Sequence, residues 1–170
     1  MVNRMKYTFW FFLVLLVMGV LVACDDEIGD SCSQNADCSS SGNRLCDTSM
    51  PGGYCTIEGC SSDSCPDGSV CIAFYPVGSL IHSCNPTTED RLGDAVATDD
   101  CLPTEVCLTS GVCASVSLER RFCMKKCGGN GDCRDAYECR TSGDHGSQKV
   151  PRENQNYATV GTSRFCAPKQ

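Results

Sequence analysis

The sequence predicts a small disulfide-rich fold: two tandem modules of short β-hairpins and loops, with little helix beyond the first 23 residues. Three observations carry this. Cysteine makes up 17 of 170 residues, the level at which a short exported chain is a disulfide scaffold. Turn residues outnumber periodic ones, as in SSSGN, MPGG, SSDS and GGNGD. Sixteen of the cysteines form two sets of eight with matching spacing.

The chain starts with a basic stretch holding Arg4 and Lys6, followed by the apolar run FWFFLVLLVMGVLV at 9–22. A basic start and a short apolar core make a secretory signal. The run has 14 residues, short of the roughly 20 that a membrane-spanning helix needs. Residues 1–23 are therefore read as a signal peptide.

The run closes on Leu21-Val22-Ala23-Cys24. This resembles the lipobox of bacterial lipoproteins, and all four positions fit. The resemblance implies a diacylglycerol thioether on Cys24, cleavage between Ala23 and Cys24, and acylation (palmitate among the chains) of the new amino group. The chemistry needs a thiolate nucleophile, and the acyl chains would hold the protein at a membrane without a protein span. Cys24 is also the odd cysteine, and setting it aside leaves an even number to pair.

Asp25 and Asp26 follow. Asp at this position resembles the inner-membrane retention signal of enterobacterial lipoproteins. The rule differs between bacterial groups, so inner and outer membrane both stay open. Residues 24–31 read as an acidic tether.

The first cysteine set is Cys32, Cys38, Cys46, Cys55, Cys60, Cys65, Cys71 and Cys84. The second is Cys101, Cys107, Cys113, Cys123, Cys127, Cys133, Cys139 and Cys166. Subtraction in order gives 69, 69, 67, 68, 67, 68, 68 and 82. The regularity predicts a duplicated module, 32–84 and 101–170, with four bridges in each and an acidic linker at 85–100 that admits a helical turn at 91–97. The pairing stays open, since eight cysteines allow 105 connectivities. Strands are expected at 69–75, 79–83 and 156–160.

DCSSSGNRLCDTSMPGGYC, 37–55, gives the modules a loose resemblance to EGF-like units and to Cys-rich surface lipoproteins of Gram-negative bacteria. That resemblance implies binding and spacing of proteins or glycans. The departures are eight cysteines where EGF units have six, and no N-terminal Asp pattern of the calcium-binding kind.

Charge adds a second division. The chain carries −7 overall, and −9 once Arg4 and Lys6 leave with the signal (12 basic against 21 acidic residues). Nucleic acid is not an expected partner. Residues 24–119 hold two basic and 16 acidic residues, and 120–170 hold ten and five. Arg120, Arg121, Lys125 and Lys126 form a basic cluster around Cys123 and Cys127. Neutralisation by acids of the same chain is the first reading, and contact with an anionic glycan or lipid head group is the second.

Phe74 and Tyr75, in IAFYPVGSLI at 72–81, read first as core and second as an exposed binding patch. The gap 140–165 is longer than its counterpart 72–83 by 14 residues and is a candidate functional loop.

Catalysis and metals have weaker support. No Cys-x-x-Cys occurs, which removes the usual zinc and thiol-redox spacings. His145 beside Asp144 lies in a Gly/Ser loop and reads as a solvated loop histidine, and His82, in SLIHSC beside Cys84, reads as structural, so neither is taken as part of a triad. Asp63, Asp67, Asp132 and Asp135 recur near cysteines, and turn formation explains them more simply than calcium. No cofactor is expected.

The expected function is a lipid-anchored, non-catalytic envelope protein for binding, adhesion or envelope organisation, its folded part in the periplasm or outside the cell. The alternatives are a disulfide-stapled inhibitor of a secreted enzyme and, last, a secreted hydrolase.

Overall fold

In the computed structural model we describe residues 26–80, 82–88, 101–153, 155 and 160–169. The segment expected to be a signal, with Ala23 and Cys24, and the helical turn foreseen at 91–97 lie outside this set. The fold is small, disulfide-rich and made of short hairpins, as the composition predicts. Helix among the described residues is one turn, α1 (Asn35–Cys38), and three 3-10 turns.

Among the described residues nine strands form four small sheets. β1 (Leu45–Cys46) pairs with β2 (Cys55–Thr56). β3 (Ser69–Phe74) lies between β6 (Arg120–Lys125) and β8 (Ser147–Lys149). β4 (Glu105–Cys107) pairs with β5 (Cys113–Ser115), and β7 (Tyr137–Thr141) with β9 (Arg164–Pro168). All pairings are antiparallel. The strand expected at 69–75 is therefore present. Of the one expected at 79–83, Ser79 belongs instead to a 3-10 turn over Val77–Ser79, residue 81 lies outside the described residues, and among the described ones only Ser83 forms a bridge, with Val112. Residues 156–159 of the third expected strand lie outside the described residues.

The eight disulfides obey one rule. Four cysteines make a unit: the first bonds the third, the second bonds the fourth, and the third and fourth face each other across a strand pair. In unit 1, Cys32–Cys46 and Cys38–Cys55 flank the Cys46/Cys55 ladder position. In unit 2, Cys60–Cys71 and Cys65–Cys123 flank Cys71/Cys123. In unit 3, Cys84–Cys107 and Cys101–Cys113 flank Cys107/Cys113. In unit 4, Cys127–Cys139 and Cys133–Cys166 flank Cys139/Cys166. Unit 3 is nested inside unit 2, between its third and fourth cysteines.

The expectation of four bridges within each set of eight does not hold. Cys65–Cys123 and Cys84–Cys107 cross from 32–84 to 101–170. The counterparts of Cys32, Cys38, Cys46 and Cys55 are Cys84, Cys101, Cys107 and Cys113, one place earlier than the offset of about 68 residues suggests. The nesting causes the slip, because it removes the fourth cysteine of unit 2 to the far side of unit 3.

The local chemistry of the units supports the rule. CPDGSVC, CLPTEVC and CRDAYEC each place the second and third cysteines of a unit six positions apart. CSQNADC and CGGNGDC open units 1 and 4. Asp37 accepts hydrogen bonds from the Ser33 and Gln34 amides, and Asp132 from those of Gly128 and Gly129. Asn35 Oδ1 accepts the Cys46 amide at 2.9 Å, and Asn130 Oδ1 the Cys139 amide at 2.8 Å. Each Asp closes the loop between two cysteines, and each Asn fastens that loop to the first strand of the hairpin.

One core joins all four units. Tyr54, Ile72, Leu108, Met124, Tyr137 and Phe165, from all four units, are almost completely buried. Units 1 and 4 meet where the Tyr54 and Tyr137 rings lie 5.4 Å apart. The Arg134 guanidinium stacks 4.4 Å from Tyr137 and donates to its hydroxyl and to the Gly53 carbonyl. Thr56 donates to the Cys123 carbonyl at 2.8 Å and ties β2 to β6.

Residues 26–30, read from sequence as part of a tether, are also packed. Ile28 is buried. The Gly29 amide donates to the Cys55 carbonyl, and the Cys55 amide donates to Asp30, each at 2.9 Å.

Candidate interaction surface

The basic cluster of β6 does not form one face. Successive strand residues point to opposite sides, so Arg120 and Arg121 diverge. Arg120 pairs with Glu58 at 2.9 Å and lies 5.2 Å over the Phe122 ring. Arg121 pairs with Glu119 at 2.6 Å. Lys125 packs its stem where a Gly29 Cβ would be, and its amide donates to the Tyr54 hydroxyl at 2.9 Å. Lys126 is exposed. Arg120–Glu58 and Arg152–Asp63 join the basic C-terminal part to the acidic N-terminal part, so some of the charge asymmetry is neutralised within the chain. Both pairs are exposed and worth little individually.

Phe74 and Tyr75 belong to the interior. Tyr75 is buried, and Phe74 is half-buried against Phe122 and Phe165 at 6.2 and 5.8 Å. Directly after Phe74 the described residues turn instead of running on as a strand, because Pro76 opens the 3-10 turn over Val77–Ser79.

The long gap 140–165 is built into the sheet. Its β8 segment pairs with β3, and the Val150 amide donates to the Cys71 carbonyl at 3.1 Å. The buried Gln148 accepts the Thr109 hydroxyl at 2.7 Å and ties unit 3 to this segment. Lys149 of β8 and, beyond it, Val150, Arg152, Gln155, Val160 and Ser163 line one side of a groove of about 590 Å³. Lys126, Lys149 and Arg152 line it together with Asp63, Asp67 and Ser62. The groove is polar, carries three cations against two carboxylates, and spans units 2 and 4. Of its charged residues, the sequence singled out Lys126 as a binding candidate and Asp63 and Asp67 as turn formers. Lys149 and Arg152 carry no sequence signal beyond their place in the long gap.

The histidines are not assembled into a catalytic group. His145 Nδ1 lies 3.2 Å from Asp144 Oδ2, with both side chains largely exposed. The neighbouring serine hydroxyls serve the backbone: Ser142 accepts the Ser163 amide, and Ser147 donates to the Asp144 carbonyl. His82 is exposed, and its carbonyl accepts the Cys113 amide. The clustered cysteines are all in disulfides and offer no thiolate to a metal.

Of the aspartates weighed for calcium, Asp132 holds two backbone amides and Asp63 faces Arg152. Backbone hydrogen bonds from Ser33 lead in lowering Asp37 to about 2, and those from Gly128 and Gly129 lower Asp132. Burial raises the phenol pKa of Tyr54 and of Tyr137, so both rings stay neutral in the unit 1–unit 4 seam.

No known protein family matches the chain, and neither the curated proteins nor the solved structures contain a match.

Proposed function

We propose that the chain is a lipid-anchored, non-catalytic protein of the bacterial envelope, held through acyl chains on Cys24. Its disulfide scaffold would present the groove at Lys126, Lys149 and Arg152 to an anionic glycan or to an acidic segment of an envelope protein. The observation that carries the anchor is one of parity. Eight bridges use sixteen cysteines, and the one left over is Cys24, at the end of Leu21-Val22-Ala23-Cys24. No helix of the described residues is long and apolar enough to cross a membrane, so attachment by lipid asks nothing further of the fold. The inhibitor reading has less support, because β8 commits part of its candidate loop to the sheet.

Intact mass of the membrane-extracted protein tests the anchor. A mass beginning at Cys24 with acyl groups added, and no thiol free before reduction, is expected. A mass retaining Met1 overturns it. For the groove, Lys149→Glu with Arg152→Glu should abolish retention on an anionic-glycan matrix at low salt while leaving the melting temperature within a few degrees. Unchanged retention overturns that assignment.

A further inference from the structure

Fixation of the chain from its first described residue decides how the body sits if Cys24 is lipidated. The Asp26 carbonyl accepts from the Arg44 guanidinium. The Glu27 amide donates to Asp30 Oδ2 at 2.8 Å, Ile28 is buried, and Gly29 and Asp30 exchange backbone hydrogen bonds with Cys55. Gly29 is seated so closely that a Cβ on it would lie 2.9 Å from Lys125 Cβ. Only Asp25 separates Cys24 from this packed segment. Two Cα–Cα steps cover at most about 7 Å.

We infer that the surface around Asp26, formed with Arg44 and Lys125, is a membrane-facing surface, held against the lipid head groups by a leash too short to let the body turn away. This rests on the lipid-anchor reading and goes beyond it. A free tether over 24–31 would have allowed any face to meet the bilayer. A leash of two residues allows only the face from which it emerges. Asp26, Glu27, Asp30, Arg44 and Lys125 give that face acids and bases together, which suits contact with zwitterionic head groups and does not require an anionic lipid. The chemistry is that of a lipid surface, and the acyl chains supply the attachment energy.

The lysines provide the test. After removal of the signal the chain has four: Lys125, Lys126, Lys149 and Lys169. The full lipidated protein is placed in phosphatidylcholine vesicles and treated with a membrane-impermeant amine-acylating reagent, and each lysine is quantified by peptide mass. The Cys24→Ser form without vesicles is the reference. Lys125 should be labelled several-fold less in vesicles, while Lys149 and Lys169 stay unchanged. A Gly/Ser insert of about ten residues between Asp25 and Asp26 has a root-mean-square reach of roughly 17 Å and should restore Lys125 labelling. Equal Lys125 labelling with and without the insert, in protein whose mass shows acylation, overturns the membrane-facing surface and spares the anchor. An unacylated mass overturns the anchor and the surface with it.

Discussion

Cys65 is bonded to Cys123, 58 residues further on, and the intervening chain contains the whole of the Cys101–Cys113 bridge and its hairpin. The partner of Cys65 is thus decided by the β3–β6 ladder, in which Cys123 lies opposite Cys71. Peptide mapping without reduction should recover Cys65 linked to Cys123 and Cys84 linked to Cys107. Recovery of Cys65–Cys84 and Cys107–Cys123 would refute the nesting. A loop of this size contributes about 4 kcal/mol in the chain-entropy treatment. Cys65→Ser with Cys123→Ser should accordingly lower stability more than removal of a bridge with a short loop, such as Cys60–Cys71 at a separation of 11.

Gly53 has φ +67, and a Cβ there would sit 1.9 Å from the Cys32 carbonyl oxygen. Gly53→Ala should cost more than about 3 kcal/mol, since left-handed strain and a backbone clash add. Gly42 has φ +74 with nothing within 4 Å of the added Cβ, so Gly42→Ala should cost only about 1 kcal/mol. Denaturant midpoints of the two variants measure the difference.

Ala136 takes φ 68 at the third position after Cys133, where unit 2 has Gly68 with φ 79 after Cys65. Alanine in this region is strained by about 1–2 kcal/mol, and glycine gives back about 0.4–1 kcal/mol in unfolded-state entropy. Ala136→Gly should therefore stabilise the protein by roughly 0.5–1 kcal/mol. A lower melting temperature would show that the two turns are not equivalent.

Asp37 and Asp132 have folded-state pKa values below the usual 3.8 because backbone amides hold their charged forms. A depressed carboxylate stabilises the fold above its unfolded pKa, and that contribution is lost as pH falls through the folded one. The share of Asp37 should be complete above about pH 4 and fade toward about pH 2, and that of Asp132 is likewise lost as pH falls below the usual carboxylate range. Melting curves across that window should flatten in Asp37→Asn with Asp132→Asn. An unchanged slope would assign the acid sensitivity to other carboxylates.

Much of the fold is legible because it is local. The cysteine content and turn residues announce a disulfide-rich fold of short strands, and Ser69–Phe74 is a strand as its β-branched and aromatic run suggests. The kinship of Cys60, Cys65 and Cys71 with Cys127, Cys133 and Cys139 survives intact. The kinship drawn between Cys32 and Cys101 does not, since equal spacing matched the first cysteine of one unit to the second of another. The groove was half legible. Lys126 stands out in a charge cluster, whereas Lys149 and Arg152 gain their place from β8, which only contact with β3 creates.

By itself, then, the sequence determined the class of fold, the odd number of cysteines and the sites of the turns, all of which depend on composition and near neighbours. Tertiary structure alone decided which cysteines bond. Bonded Cα atoms lie only 5.3–5.9 Å apart, yet the bonded residues are 11 to 58 positions apart along the chain. A bridge records which strands lie side by side, and the pairing of β3 with β6 across a nested unit is written in the packing of one shared core rather than in any stretch of sequence.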